Sequence, residues 1–282
     1  MSTMVGEHTK QEIKLTAGRI RYREAGEGPP IVFVHGYLVD GRLWDGVVDA
    51  LADSFRCIAP DLPFGAHRIP MSPGADLSPA GMAAIVAELI ERLELEDVTV
   101  VGNDSGGAVS QVLVTTRPEH VGRLVLTNCD THENFPPGIF KALPPLAKLP
   151  GSTWLMLQPF RIEAVTRFAF APFSKAMPAG YVAAWAAGAF ADAGVRHDLA
   201  KVTAGMNKRY TLAAAEALRG SQLPILLAWA PGDRFFPMRY PQRLAAEAAN
   251  ARIVEIADSR TFVPLDQPAR LAAEITQFAE TA

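Results

Sequence analysis

Short apolar runs alternate with segments of helical periodicity along most of the chain. The run Ile31-Val32-Phe33-Val34 has no polar position, which is typical of a strand buried on both faces of a sheet. The pattern predicts strands over 12–15, 19–24, 31–34, 56–59, 97–101, 123–126, 224–229 and 251–256. Helices are predicted over 42–52, 79–93, 105–117, 239–248 and 269–279. This alternation predicts an α/β fold with a mainly parallel sheet covered by helices.

The alternation stops between residues 131 and 220, where the composition shifts toward Ala, Phe and Met. Several prolines lie at the beginning of this segment, and helices are predicted near 162–169, 180–191 and 195–218. We interpret the segment as a helical cap, or lid, inserted into one α/β core that is made of residues 1–130 and 221–282.

Composition and charge exclude several classes of protein. The chain of 282 residues is 49% hydrophobic and 20% charged, which is typical of a globular protein with a sizeable core. Its net charge is -3 without a cluster of Lys and Arg, which argues against nucleic-acid binding. Cys57 and Cys129 lie in or beside apolar runs, so buried thiols are expected rather than a disulfide. Without a signal peptide or a long apolar span, the sequence predicts a cytoplasmic protein that does not bind membranes.

A glycine-rich segment joins a predicted strand to a predicted helix. In Gly102-Asn103-Asp104-Ser105-Gly106-Gly107 the small residues flank Asp104, as required by a tight strand-to-helix turn that presents a nucleophile. A Ser105 nucleophile would require Asn103 to take the small position. An alternative without catalysis is that Asp104 only caps the following helix.

With this segment, the chain resembles the α/β-hydrolase superfamily in its Asp-nucleophile branch, which includes epoxide hydrolases and haloalkane dehalogenases. His35-Gly36-Tyr37 is similar to the family's oxyanion loop, and residues 230–237 are similar to its acid loop. The resemblance implies a mostly parallel eight-stranded sheet with an inserted helical cap. It also implies an oxyanion hole made by the backbone N–H groups of Tyr37 and Ser105, and Asp233 as the orienting carboxylate.

The family's histidine is absent from its usual position. Residues 257–268 resemble the loop that carries it, and the matching position is Thr261, while no histidine follows His197. Threonine cannot act as a base near neutral pH. His67 and His132 are the candidate substitute bases, although each is also compatible with an ordinary loop histidine.

Several other side chains are candidates for the site. Asp130 and Glu133 follow the sixth strand and are weaker candidates for the acid. Candidate substrate-binding residues are His35, Tyr181, Tyr210, Trp154 and Trp185, for each of which a structural role is the alternative. The two tyrosines carry phenols that donate to a developing alkoxide. Ser105 stands where dehalogenases usually carry the Trp that holds the halide, which favours an epoxide hydrolase-like substrate.

Three functions remain open. The first is a hydrolase of small, largely apolar substrates that acts through Asp104 with an atypical triad. The alternatives are a lyase, isomerase or cyclase that uses Asp104 as an acid or base, and an inactive ligand-binding module. The sequence has no cofactor or metal motif, so a small molecule is the expected partner, with a homodimer left open.

Overall fold

The computed structural model describes residues 9–281, within which eight strands form one sheet. The strands are β1 (Thr9–Leu15), β2 (Gly18–Ala25), β3 (Pro30–Val34), β4 (Arg56–Pro60), β5 (Val98–Asp104), β6 (Val121–Cys129), β7 (Ile225–Trp229) and β8 (Ala251–Glu255). Their order across the sheet is β1-β2-β4-β3-β5-β6-β7-β8. The fold is therefore the α/β-hydrolase arrangement that the sequence predicts.

Helices connect the strands and flank the sheet. They are α1 (Asp45–Leu51), α2 (Pro79–Arg92), α3 (Ser105–Thr116), α4 (Leu143–Ala147), α5 (Ser152–Leu157), α6 (Glu163–Phe170), α7 (Tyr181–Ala191), α8 (Ala193–Gly205), α9 (Lys208–Leu218), α10 (Arg239–Glu247), α11 (Val263–Asp266) and α12 (Pro268–Thr281). Short 3-10 helices cover Gly41–Trp44, Gly138–Ala142 and Gln158–Arg161. Within the described part of the chain, every helix is too short or too polar to cross a membrane.

The direction of the strands determines where a site can form. Strands β3 to β8 pair in parallel, whereas β1 and β2 form an antiparallel hairpin that joins the sheet through β4. From β3 the chain passes first to β4 on one side and then crosses to β5 on the other. Ligands of open α/β sheets bind in the crevice outside the strand ends at such a switch point. Here the crevice lies at the carboxyl ends of β3 and β5.

The central strands explain the continuous apolar runs. On β3, Val32 and Val34 belong to the hydrophobic layer on one face of the sheet, and Ile31 and Phe33 belong to the layer on the other. All four side chains are fully buried. Because a strand turns successive side chains to opposite faces, only an uninterrupted apolar run satisfies both layers.

The inserted segment differs in detail from the sequence prediction. The helix predicted over 195–218 is wrong, because the structure has two helices, α8 and α9, separated at Met206 and Asn207. Asn207 is extended (φ −156°), and its side chain accepts a hydrogen bond from the backbone N–H of Arg209, which caps α9. The sequence also missed α4 and α5 in the proline-rich part. Helix α9 packs against α3, and the boundaries of the cap stay a prediction.

We expect Asn207→Ala to lower the free energy of unfolding by about 1 kcal/mol, because it removes the cap of α9. Urea unfolding followed by circular dichroism measures this change. Lys208→Ala is the matched control, since it alters the exposed neighbouring residue and leaves the cap intact. Equal stability of Asn207→Ala and the control would contradict the capping role.

Candidate active site

Asp104 lies on a strained turn between β5 and α3. Its backbone has φ 53° and ψ −131°, a positive-φ conformation that L residues rarely adopt. The turn is possible because Gly106 and Gly107 have no side chain. A Cβ on Gly106 would lie 2.2 Å from the carbonyl oxygen of Val34, and one on Gly107 would lie 2.3 Å from Cβ of Cys129. The backbone therefore presents Asp104 in the geometry of a nucleophile elbow.

Two backbone N–H groups converge on the Asp104 carboxyl group. The N–H of Tyr37, in the loop after β3, donates to Asp104 Oδ2 at 2.9 Å. The N–H of Ser105 also donates to this carboxyl group. Gly36 allows the close approach, since a Cβ there would lie 2.2 Å from Asp104 Oδ2. The two groups that the resemblance implies for an oxyanion hole thus meet at Asp104.

The environment of Asp104 alters its acidity. Burial raises the pKa of Asp104 to about 6, and the hydrogen bonds from the N–H groups of Tyr37 and Ser105 limit that rise. The negative charge of Asp233 raises the pKa further. Above about pH 6 the side chain is therefore a carboxylate that is poorly solvated by water.

Asp233 is buried and receives four hydrogen bonds. The backbone N–H groups of Phe235 and Phe236 donate to Oδ1 at 2.7 and 3.1 Å. Asn128 Nδ2 and the hydroxyl of Thr261 donate to Oδ2 at 3.0 and 2.8 Å. Burial raises the pKa of Asp233, and these donors limit the rise. The predicted acid and Thr261 are thus in direct contact.

Asn103 ties the turn of Asp104 to the loop that contains Thr261. Its side-chain amide donates to the carbonyl of Thr261 at 2.7 Å and to the hydroxyl of Thr127 at 2.8 Å. Asn103 and Asn128 were missed from the sequence, although polar residues at the ends of otherwise apolar strands are a signal of such a role. The turn, the acid loop and the Thr261 loop are therefore one connected network.

A second buried carboxyl group lies beside the turn. Asp130 follows β6, and its Oδ2 accepts a hydrogen bond from Ser105 Oγ at 3.1 Å. Its Oδ1 is buried without a hydrogen-bond partner among residues 9–281. Burial and the charge of Asp104 raise the pKa of Asp130 well above its usual range. Glu133, by contrast, is exposed and forms an ion pair with Arg243.

His67 links the core to the cap. Its Nε2 lies 3.2 Å from Asp198 Oδ2 on α8, and its Nδ1 accepts a hydrogen bond from the N–H of Gly65 at 3.3 Å. The same Asp198 oxygen accepts from the N–H of Met71 at 2.7 Å. Both ring nitrogens are engaged in attaching α8 to the loop after β4, so neither is left to act on Asp104.

His132 has a similar structural role on another side of the molecule. Its Nε2 lies 3.0 Å from Glu247 Oε2 on α10, and its Nδ1 lies 3.1 Å from the hydroxyl of Thr131. Arg219 and Arg243 also pair with Glu247. This imidazole is thus held in an ion-pair network, and the structure brings neither candidate substitute base to Asp104.

His35 is a buried neutral imidazole that holds the loop after β3. Its Nδ1 lies 3.0 Å from the carbonyl oxygen of Gly36, and its Nε2 accepts from the N–H of Leu62 at 2.8 Å. Burial lowers the pKa of His35. These two contacts require the tautomer with the proton on Nδ1. Both ring nitrogens of His35 thus bind backbone groups, so the imidazole orients the loop instead of contacting a substrate.

The aromatic candidates on α7 join the cap to the core. Trp185 is fully buried, and its Nε1–H donates to Asp40 Oδ1 at 3.0 Å. Tyr181 packs against Trp185, and its hydroxyl donates to Asp45 Oδ2 at 3.4 Å. Both polar atoms are therefore directed at carboxylates of the core that lie near α1.

The other two aromatic candidates lie on α5 and α9. Trp154 is 52% exposed on α5. The hydroxyl of Tyr210 accepts a hydrogen bond from the exposed Arg209, whose guanidinium also lies over the tyrosine ring. Neither side chain contacts Asp104 within the described structure.

The phenol that lies near Asp104 belongs to Tyr37, for which the sequence assigned only the backbone. Its hydroxyl lies 2.8 Å from Thr203 Oγ1, and the Thr203 hydroxyl donates to the carbonyl of Leu199 at 2.5 Å. The Tyr37 hydroxyl is therefore the donor of its pair. Burial and the charge of Asp104 raise the pKa of Tyr37. Tyr37 thereby couples the loop after β3 to α8.

Apolar side chains of the cap lie over this part of the core. Phe173 stacks on Phe235 and Phe262 with ring centroids 4.6 and 5.6 Å apart, next to the loops of Asp233 and Thr261. A void of about 10 Å³ between the cap and the loop of Tyr37, too small for a substrate, is lined only by apolar residues and one glycine. They are Leu38, Gly65, Leu157, Phe160, Phe170, Val182 and Ala186.

The chain is similar in sequence to a known family and to individual proteins. The sequence profile of the α/β-hydrolase fold family matches residues 29–268. Haloalkane dehalogenase 2 of Mycobacterium tuberculosis (strain ATCC 25618 / H37Rv) is 28% identical over 267 residues, covering 92% of this chain and 91% of that protein. Soluble epoxide hydrolase of Corynebacterium sp. (strain C12) is 34% identical over 143 residues, or 50% of this chain and 46% of the hydrolase.

A solved structure extends the similarity to the fold. Haloalkane dehalogenase DbeA from Bradyrhizobium elkani USDA94 superposes with a TM-score of 0.78 at 20% sequence identity. The match covers 98% of this chain and 100% of that chain. The core and the inserted helices thus have the overall arrangement of that protein.

We expect Gly36→Ala to displace the Asp104 carboxyl group from its N–H donors, because the new Cβ would overlap Oδ2. Misplacement of a reacting group by about 1 Å costs roughly 10² in rate, so covalent reaction at Asp104 should slow by about that factor. Gly74→Ala is the matched control, since a Cβ there meets nothing within 4 Å. Equal rates of reaction in the two variants would contradict the importance of this close approach.

Proposed function

Because this chain belongs to the α/β-hydrolase fold family, we propose that it is an enzyme that attacks a small, largely apolar electrophile through Asp104. The observation that carries this proposal is the convergence of the Tyr37 and Ser105 N–H groups on a buried carboxylate at a strained turn. An Asp that only capped α3 would accept a hydrogen bond through its side chain from the N–H of the second or third helical residue, Gly106 or Gly107, and no such cap is present at Asp104.

The arrangement supports attack on an sp³ carbon. Tyr37 holds Oδ2, which leaves Oδ1 as the oxygen that attacks. A C–O bond forms between Oδ1 and the substrate carbon while the bond from that carbon to its leaving oxygen breaks. The product is an alkyl ester of Asp104, whose carbonyl oxygen is Oδ2. The N–H of Tyr37, with the N–H of Ser105 beside the same carboxyl group, would then stabilise the negative charge that develops on Oδ2 when water attacks the ester.

We propose that the triad is atypical, with Thr261 in the position of the usual histidine. The hydroxyl of Thr261 donates to Asp233, which is the contact that an orienting carboxylate makes with its partner in a triad. Threonine supplies no base near neutral pH, so Asp233 and Thr261 together stabilise the loops rather than activate water.

An epoxide is the substrate class that this site supports best. Among relatives of the chain are proteins named as a haloalkane dehalogenase and as a soluble epoxide hydrolase. Ser105 follows Asp104 in place of the Trp that holds the halide in dehalogenases. Its hydroxyl can donate a hydrogen bond and a proton to the oxygen of an opening epoxide, whereas a departing halide needs no proton.

Incubation with a short 1,2-epoxyalkane should add the mass of one substrate to Asp104. Intact-protein mass spectrometry after acid quench, followed by peptide mapping, detects the ester and its position. Asp104→Asn should abolish the adduct, because a neutral amide is a far weaker nucleophile than a carboxylate. Asp53→Asn, which changes an exposed carboxylate on the surface, should react like the native chain. An adduct elsewhere, or none together with no turnover, would contradict the proposal.

The rate of ester formation should depend on the ionisation of Asp104. Since only the carboxylate attacks and its pKa is about 6, the rate should be constant above pH 7 and fall as pH drops through 6. At pH 5 the rate is expected to be about tenfold below the plateau. Rapid-quench measurement of the adduct from pH 4.5 to 8 tests this. A rate that stayed constant down to pH 4.5 would indicate an unperturbed carboxylate and contradict the role of burial.

A further inference from the structure

We propose that Ser105 and Asp130 form a proton-transfer pair that replaces the absent histidine. In this inference Asp130 gives a proton, through the Ser105 hydroxyl, to the oxygen of an opening epoxide, and later takes a proton from the water that hydrolyses the ester. The inference rests on the proposed attack by Asp104 and adds the residues that complete the reaction.

The fold places Asp130 beside the nucleophile. In the parallel ladder of β5 and β6, Asp104 is paired with Cys129, the residue directly before Asp130. The backbone N–H of Asp130 donates to the carbonyl oxygen of Asp104 at 3.3 Å. Ser105, the residue directly after Asp104, lies 3.1 Å from Asp130 Oδ2 through its Oγ. The Asp130 carboxyl group is thus hydrogen-bonded to the residue that directly follows Asp104.

The surroundings of Asp130 favour a protonated side chain. The carboxyl group is fully buried, and Oδ1 has no hydrogen-bond partner within residues 9–281. Its neighbours with ionisable side chains are Asp104 and Cys129, of which Asp104 is the charged one. A buried carboxyl group with one hydroxyl partner and a negative charge nearby keeps its proton. The pair of carboxyl groups therefore holds one proton and one negative charge.

Ring opening moves that charge from one carboxyl group to the other. Oδ1 of Asp104 forms a bond to the epoxide carbon, and the electrons of the breaking C–O bond go to the epoxide oxygen. For this step the Ser105 hydroxyl turns from Asp130 Oδ2 to the epoxide oxygen, and the Asp130 proton lies on Oδ2, where it is directed at Ser105 Oγ. Ser105 then gives its proton to the epoxide oxygen while Asp130 protonates Ser105 Oγ. The result is an alkyl ester at Asp104, a hydroxyl group on the substrate and a carboxylate at Asp130, so the total charge is unchanged.

Hydrolysis of the ester restores the starting state. The Asp130 carboxylate, through Ser105, takes one proton from the water that attacks the carbonyl carbon of the ester. The other proton of the water goes to the leaving alkoxide, which departs as the second hydroxyl group of a vicinal diol. Asp104 is again a carboxylate and Asp130 is again protonated. The reaction thus needs no histidine, in agreement with the structural roles of His67 and His132.

An alkyl halide would separate the two steps. A halide leaves as an anion and takes no proton, so attack by Asp104 leaves Asp130 protonated and unable to activate water. Ester formation with an alkyl bromide should therefore be independent of Asp130, whereas ester formation with an epoxide should require it. This difference cannot result from a purely structural role, because both probes meet the same folded site.

The test compares a 1,2-epoxyalkane with a 1-bromoalkane of the same chain length by rapid quench and intact-protein mass spectrometry. In Asp130→Asn and Ser105→Ala we expect ester formation with the epoxide to slow at least about 100-fold, and ester formation with the bromide to stay within about threefold. Ser105→Thr keeps a hydroxyl group and should retain more epoxide reactivity than Ser105→Ala. Ser110→Ala is the matched control, since that buried serine of α3 donates to a backbone carbonyl instead of a carboxyl group.

The outcomes separate this inference from the proposed function. If the native chain forms no ester with either probe, the proposed function fails, and the inference fails with it. If the native chain reacts and both variants react with the epoxide at the native rate, only the proton-transfer pair is overturned. Equal slowing with epoxide and bromide would also overturn it, because it would indicate general damage to the site. Ser105→Ala provides the answer if Asp130→Asn does not fold.

Discussion

The site depends on the cost of keeping the Asp104 carboxylate away from water. A buried charge without partners is strongly unfavourable, and here the compensation comes from backbone N–H groups that cannot move away. These donors meet at one point because Gly36 allows a close approach, Asp104 adopts a strained turn and Gly106 allows a tight backbone contact. The loop of Tyr37 is in turn fixed by His35 on the core side and by Thr203 of α8 on the cap side. Much of the local structure thus stabilises one carboxylate.

Three carboxyl groups share this end of the sheet, and their partners differ in number. Asp233 receives four hydrogen bonds, Asp104 is held by two backbone N–H groups, and Asp130 has the single hydroxyl of Ser105. Burial raises the pKa of all three, and hydrogen-bond donors oppose that rise. Asp130, which has the fewest donors, is the group whose pKa is raised well above its usual range. These differences support the proposed roles of Asp233 as a structural carboxylate, Asp104 as the nucleophile and Asp130 as the holder of one proton.

Local patterns allowed much of the fold and part of the site to be predicted. The apolar run of β3 and the glycines after Asp104 are determined by sheet burial and by a turn that excludes side chains, and both constraints act within a few residues. The break between α8 and α9 was missed because helical periodicity continues across it, while one capping Asn decides the boundary. The partners of His67 and the contact between Ser105 and Asp130 join residues far apart in the chain. Such contacts depend on the packing of whole elements, which sequence spacing does not contain.

Isotope labelling of the native chain tests the central claim, covalent attack by Asp104, most directly. The epoxide is turned over in water enriched in ¹⁸O, and both the diol and the peptide that contains Asp104 are analysed by mass spectrometry. Covalent attack predicts that the diol from a single turnover contains only unlabelled oxygen, because that oxygen comes from Asp104. After several turnovers, ¹⁸O should be found in the Asp104 carboxyl group. Labelled diol from the first turnover, with no label in Asp104, would show direct attack by water and contradict the account.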